Sequence, residues 1–406
     1  MNDTGKFTMR HLAVILLCSL SIIGSVGVAN AYALFYAPMT EVWNVSRTAA
    51  TFHVTVSSVV SGFATPALSK LSRKIKLRYM FVAGTILYLI AGLVIANAKN
   101  ITVVNIASVF KGIGGSCISF IFVTAIINNW FIKSRGLILG IILSSSGLST
   151  SIMSPVLQGV IDNQGFRTAY ILTVMITVCM CAPFALLCPI KPEDVGCQAY
   201  GLQAEGGKGR KSLGLELRYF SVLFISLITM AAVGQVLLNM VSHIPSYAIT
   251  KGFGSQAGAW RLSAVMIGNV AFKLIVGVII DRFNVHIGYT TAVICGIVGA
   301  MMILLNGSSA ILFVLAGLLY GAVYSSVMVC VPNLYGHYYS GASYMDAYSL
   351  SNLFCSLFSS AVFTVVNYLY DVTGSYDLSF GGTIAAGVIG LAVGVFLSRK
   401  YSGKSA

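Results

Sequence analysis

From Leu12 to Val28, and again from Ile384 to Leu397, the chain runs through apolar and small side chains without a single charge, and similar runs recur along its 406 residues. Runs of this length constrain the fold more than any other feature. In lipid their backbone has no water to bond to, so only helices or a closed barrel can satisfy it. A barrel strand would alternate apolar and polar residues over about ten positions. These runs do not alternate, so they are read as helices. Composition agrees: 57% of residues are hydrophobic and 9% charged, against about 25% charged in an average soluble domain. A disordered chain, a coiled coil and an ordinary soluble enzyme are excluded.

A spanning helix needs about 20 apolar residues. Spans are read near 11–36, 50–69, 78–97, 103–127, 136–160, 168–188, 219–247, 259–280, 288–306, 310–334, 345–369 and 380–398, twelve in all. The expected class is an all-α membrane protein. The net charge of +14 raises the question of a polyanion partner, which placement of the basic residues answers. With the N-terminus in the cytoplasm, eighteen of the 25 Lys and Arg fall on the inner side, and five (Arg47, Lys99, Arg167, Lys251 and Arg261) fall outside. That asymmetry orients membrane proteins, so the excess charge records topology and no nucleic-acid partner is expected. Both termini are then cytoplasmic, in a multi-pass protein of the plasma membrane whose surroundings are the lipid bilayer. Ala29-Asn30-Ala31 after the first apolar run has the small-residue look of a signal-peptide site. The length of that run and the eleven spans after it favour an uncleaved first helix. The nine cysteines mostly lie within apolar runs and follow no metal-ligand or redox spacing, so they are read as packing residues with no cofactor or metal.

One long polar stretch interrupts the pattern. Residues 191–217, with Gly206-Gly207-Lys208-Gly209-Arg210-Lys211 at their centre, read as a flexible cytoplasmic linker between an N-terminal six-helix bundle (1–190) and a C-terminal one (218–406). Two six-span halves are the pattern of a transporter whose bundles move about a central site. A single copy of the chain is the expected unit.

Two basic residues remain inside spans. Lys111 lies about 16 Å into the fourth, and Lys273 about 12 Å from the end of the eighth, at about 1.5 Å per residue. Charge in the bilayer interior is expensive and usually functional. All eleven acidic residues fall in loops, tails or span ends. A buried ammonium must then lose its proton, reach water in a cavity, or meet an anion that is not part of the protein. The simplest such anion is a small organic carboxylate, with Lys273 as main ligand and Lys111 as auxiliary. Plainer roles stay open: Lys273 reaching cavity water, and Lys111 bonding backbone carbonyls beside Gly112, Gly114 and Gly115. Asn269, one turn from Lys273, shares its face. Asn30 and Tyr32 in the first span, Tyr320 and Tyr324 in the tenth and Tyr348 in the eleventh complete the candidate cavity. His53 and His243, near the outer ends of their spans, are read as solvated. With no mid-span carboxylate to relay protons, exchange or uniport is favoured over carboxylate-mediated proton symport.

Several motifs now carry a family resemblance. Asn128-Asn129-Trp130-Phe131-Ile132-Lys133-Ser134-Arg135-Gly136-Leu137 resembles the connection between the fourth and fifth spans of major facilitator transporters, in particular the monocarboxylate porter and oxalate:formate antiporter group. Gly165-Phe166-Arg167-Thr168-Ala169-Tyr170 is similar to that superfamily's entry to the sixth span, Pro192-Glu193-Asp194-Val195-Gly196 to the segment after it, and Gly277-x-x-x-Asp281-Arg282 to its cytoplasmic loop motif. The resemblance implies the major facilitator fold. It also implies a conformational role, not a ligand role, for Gly277, Asp281, Arg282, Arg135 and Gly136. In the oxalate:formate group a substrate-binding arginine occupies the place of Lys273, and a second cation falls near Ser351 here, where this chain has none. The motif acid expected before Arg73 is also absent.

The reading is a secondary transporter of a small organic mono- or dicarboxylate working by alternating access. Multidrug efflux is an alternative, drawn from Gly147 and Pro155 in the fifth span, and fits poorly with two mid-span lysines. A non-transporting sensor on the same scaffold is another. No catalytic pair or metal-ligand spacing appears inside the spans, so enzyme activity is not expected.

Overall fold

The helix Leu77–Asn97 illustrates how the apolar runs fold. Gly84, Tyr88, Ala91 and Ile95 are buried on one face, while Ile86, Ile90 and Val94, each four residues apart, are exposed on another. An amphipathic helix in water turns polar residues outward. An exposed aliphatic stripe is a surface that lipid solvates. The computed structural model describes residues 7–71, 74–131, 135–201, 215, 217–218, 221–305, 310–339 and 341–401, a few helical side chains apart. Among the described residues, ten helices are long and apolar enough to cross a membrane. Two further rods, one of 25 residues and one that is broken in the middle, bring the number to the expected twelve.

In chain order these are α1 (Met9–Trp43), α2 (Arg47–Leu71), α3 (Leu77–Asn97), α4 (Ile101–Cys117, resuming as Phe120–Trp130), α5 (Arg135–Gln164) and α6 (Phe166–Leu187). Then follow α7 (Val222–Val241, resuming as Ile244–Thr250), α8 (Ser255–Arg282), α9 (Val285–Leu305), α10 (Ala310–Tyr320, continuing in short pieces to Val331–Tyr338), α11 (Gly341–Thr373) and α12 (Asp377–Tyr401). The chain divides into two compact units, one of Met1–Val45 with Phe52–Lys208, the other of Ser46–Thr51 with Gly209–Ala406. The first turn of α2 thus groups with the second unit.

Side-chain caps start several rods. Asn100 accepts from the Val103 amide at 3.0 Å to begin α4, and Ser221 accepts from Phe224 at 3.2 Å to begin α7. Gly165, at φ 82°, makes the sharp turn between α5 and α6. Small residues then set how closely the rods approach, as expected where lipid supplies no hydrophobic drive between helices. In the first unit α3 meets α4 at Gly84 and Gly114. In the second α8 meets α10 at Gly268 and Gly321, where a Cβ on Gly268 would stand 2.0 Å from the Leu318 carbonyl oxygen.

Three expectations need correcting. The stretch read as flexible from Lys191 onward is built structure as far as Gly201. Pro192–Val195 forms a 3₁₀ turn, the Arg10 guanidinium donates to Val195 O, His11 Nε2 lies 3.1 Å from Gln198 O, and Tyr200 N donates to Trp130 O at 2.9 Å. Backbone groups of 191–201 find partners on the first unit, which a reading from glycine and charge content could not register. Secondly, His53 and His243 are buried, not solvated. Thirdly, Arg47 and Arg261, counted outside, are buried as well, because their helix turns pack against neighbours. Arg73 and most of the glycine-rich stretch lie outside the described residues, as does the side chain of Lys70.

Gly268→Ala should lower the stability of the purified protein by about 1–3 kcal/mol, since the new methyl can be fitted only by moving α8 off α10. Gly381→Ala in α12, where a Cβ meets nothing within 4 Å, is the control and should leave thermal unfolding unchanged.

Candidate functional site

In the first unit the candidate residues converge on Lys111. α1 is not a regular helix. It contains a π turn at Ile23–Gly27 and a 3₁₀ stretch at Ala31–Phe35 that carries Tyr32 inward. Such irregular turns are frequent at functional sites. The Lys111 ammonium lies 3.7 Å from the centre of the Tyr32 ring, 5.2 Å from that of Tyr170 and 5.5 Å from that of Tyr88. It donates to the Tyr170 hydroxyl at 2.8 Å, and the Tyr32 and Tyr88 hydroxyls bond to each other at 3.1 Å. Lys111 is therefore held in a cage of three tyrosines from α1, α3 and α6, whose ring faces attract the cation without any carboxylate.

Tyr88 is not among the residues singled out from the sequence, and Tyr170 stands there only as the last residue of the motif entering the sixth span, not as a site residue. A signal for Tyr88 is depth: it lies nine residues before the end of α3 and Lys111 ten after the start of α4, the two ends joined by a short turn. Tyr170 lies too near the start of α6 for depth to reveal it; the long lysine side chain bridges the difference. Asn30 sits nearby with a different task. Its amide donates to Thr150 Oγ1 at 3.5 Å, while Thr150 Oγ1 donates to Gly27 O at 2.6 Å, tying the irregular part of α1 to α5.

In the second unit Lys273 is 5% exposed in the middle of α8, and its ammonium lies 5.9 Å from the centre of the Tyr324 ring. Asn269, one turn earlier, is fully buried. Its amide nitrogen reaches Met266 Sδ at 3.8 Å, and its carbonyl oxygen has no hydrogen-bond partner among the described residues. A π turn at Ser326–Cys330 follows Tyr324 directly. Tyr320 is engaged elsewhere, its hydroxyl donating to Leu237 O at 2.6 Å. Tyr348 stacks on Tyr344 at 5.8 Å and packs against Tyr335 at 5.7 Å. The structure thus brings Lys273, Asn269 and Tyr324 together, while Tyr320 and Tyr348 join α10 to its neighbours.

Of the conformational residues, Asp281 and Arg282 are exposed at the end of α8, and no salt bridge joins either among the described residues. Gly277 has open space where a Cβ would stand. α5 begins at Arg135, but the side chains of Arg135 and Gly136 lie outside the described residues.

A sequence profile described as Major Facilitator Superfamily matches residues 16–363. Monocarboxylate transporter 13 of Rattus norvegicus is 22% identical over 374 residues, covering 90% of this chain and 83% of its own length. Monocarboxylate transporter 11 of Homo sapiens is 24% identical over 267 residues, 64% of this chain and 54% of its own. Among solved structures, a bacterial homolog of the human lysosomal transporter Spinster, inward-facing and occupied, superposes with a TM-score of 0.74 over 99% of each chain at 12% identity.

The cage makes a quantitative prediction. In a double-mutant cycle of Lys111→Met and Tyr32→Leu, the coupling energy from reversible unfolding in mixed micelles should be about 1–2 kcal/mol. Additive effects would mean that the ring does not hold the cation.

Proposed function

Because this chain belongs to the Major Facilitator Superfamily of membrane transporters, we propose that it moves a small organic anion across the membrane by alternating access, as an exchanger or uniporter. The observation that carries the reading is the buried position of Lys273, a cation in the middle of a membrane-crossing helix with a buried amide on the same face. An ammonium in an apolar medium is a strong anion ligand, because little water competes for it. Relatives named monocarboxylate transporters support a carboxylate as that anion. Ser351 stands where the resembled group has its second cation, and this favours one carboxylate group over two. Lysine offers a point charge and lacks the bidentate fork of arginine, which suits a small, loosely oriented carboxylate.

Lys111 enters this reading differently from Lys273. Its charge is already stabilised by three ring faces and a hydroxyl, so it serves chiefly to hold α1, α3, α4 and α6 in register and only secondarily as a ligand. Asp281 and Arg282 act at the cytoplasmic end of α8 on the conformational equilibrium, and the protein works as a monomer in the plasma membrane with both termini inside.

Uptake into proteoliposomes tests the assignment. Lys273→Gln should reduce the efficiency of carboxylate transport by about tenfold or more, since truncating one partner of a buried charge pair costs about 2 kcal/mol or more. Lys273→Arg should keep part of it. If Lys273→Gln transports carboxylates like the parent protein, Lys273 is not the anion ligand.

A further inference from the structure

α7 is broken at His243, which stands between Val222–Val241 and Ile244–Thr250, with Pro245 in the first turn of the second piece. The imidazole is fully buried. It lies between the rings of Phe363 in α11, at 5.0 Å, and Tyr376 just before α12, at 5.2 Å. Neither ring nitrogen has a hydrogen-bond partner among the described residues. A neutral imidazole carries one donor and one acceptor, and buried groups of this kind are almost always paired. A histidine with both nitrogens idle is out of place unless another arrangement of the protein employs it.

The charged neighbour of the imidazole is in the first turn of α2, which belongs to the same unit. The buried Arg47 guanidinium donates to Ser246 Oγ, three residues beyond His243, and lies 5.8 Å from the centre of the Tyr370 ring. The amides of Arg47 and Thr48 donate to the two oxygens of Asp371 at 2.7 and 2.9 Å. Asp371 is thereby committed to the start of the helix, where a carboxylate is well placed, and the Arg47 charge acts on His243. The other titratable groups at this end are Tyr370 on α11, Tyr376, and Tyr247 on the second piece of α7. The Tyr247 hydroxyl donates to Asp377 at 2.8 Å, Asp377 pairs with Lys251 at 3.0 Å, and Arg261 of α8 acts on Tyr247. Both carboxylates are therefore engaged with other groups, and a second positive charge beside Arg47 in this dry space is opposed.

We propose that His243 is a proton-binding site governed by a clasp: when the first turn of α2 leaves Ser246 and Asp371, the competing guanidinium goes with it and the imidazole takes up a proton. Linkage sets the sign. The proton binds the released form better than the clasped one, so acid favours release and neutral pH favours the clasp. The break at His243–Pro245 lets the second piece of α7 shift without disturbing the first. The site needs no carboxylate inside the membrane, and it operates whatever cargo the protein carries.

Hydrogen exchange on the full-length protein in nanodiscs reads the clasp directly, because the amides of Arg47 and Thr48 are the ones held by Asp371. Corrected for the intrinsic pH dependence of exchange, their protection should fall between about pH 7.5 and about pH 5.5, by at most about tenfold per pH unit, the ceiling for one proton coupled to one opening. His243→Phe keeps the ring stack and cannot bind a proton, so its protection should not vary over that range. Arg47→Gln removes the competing charge and leaves both amides on Asp371, so the clasped form binds the proton more nearly as the released form does and the response should shrink. A flat profile in the parent protein overturns the proposal. So does a His243→Phe protein that keeps the full response, which would assign the proton to Asp371. Should His243→Phe fail to fold, Arg47→Gln decides: a response as large as that of the parent protein also overturns it.

Discussion

A positive charge carried into the apolar middle of a helical bundle has to be stabilised where it stands, because neither water nor salt reaches it to do so. The first unit meets this requirement at Lys111 with three tyrosine rings and one hydroxyl. The requirement shapes much of the unit. α1 departs from regular helical geometry just where Tyr32 must face inward, α3 and α4 close up on Gly84 and Gly114 beside the cage, and the start of α6 supplies Tyr170. Four helices are tied to one ammonium.

The second unit treats its charges differently. Lys273 exposes less of its surface than Lys111, and its ammonium lies farther from the Tyr324 ring centre than that of Lys111 does from Tyr32, 5.9 Å against 3.7 Å. Beside it is an amide whose oxygen is idle among the described residues. The contrast separates the two lysines that look alike in the sequence: one charge is enclosed by the protein's own aromatic groups, the other sits on a buried face together with polar atoms able to receive a ligand. A transporter of the kind proposed needs both kinds of element, a rigid unit that moves as a body and a site for its cargo. At Arg47 a third arrangement appears, in which the charge is met by a serine hydroxyl and a ring face.

Much of the fold is legible in the order of the residues alone. The apolar runs locate all twelve rods, eleven of them to within about four residues at either end and α1 short of its end at Trp43, since hydropathy along a helix depends only on which side chains are consecutive. The two mid-span lysines are legible for the same reason. Tyr88 and Tyr170 are not, because twenty tyrosines offer no way to tell which three share a depth and a facing direction. His243, Arg47 and Arg261 look solvated or external in the sequence, because proximity to a span end suggests water, whereas the packing of neighbouring turns buries them. The segment 191–201 looks like free linker, because its backbone partners, Trp130 and the two residues Arg10 and His11, are distant in the chain.

What the sequence determined by itself was the solvent of the protein, the number of its rods and the presence of charges that the bilayer would not tolerate uncompensated. These are properties of consecutive residues, and lipid enforces them whatever the neighbours are. What only the tertiary structure decided was how each charge is met: Lys111 by tyrosines, Arg47 by a serine hydroxyl and a ring face, Lys273 on a face with Asn269 and Tyr324. Helix-to-helix contacts in lipid are set by the shape of small residues and by lateral rotation, and neither is recorded in the order of apolar residues along one rod.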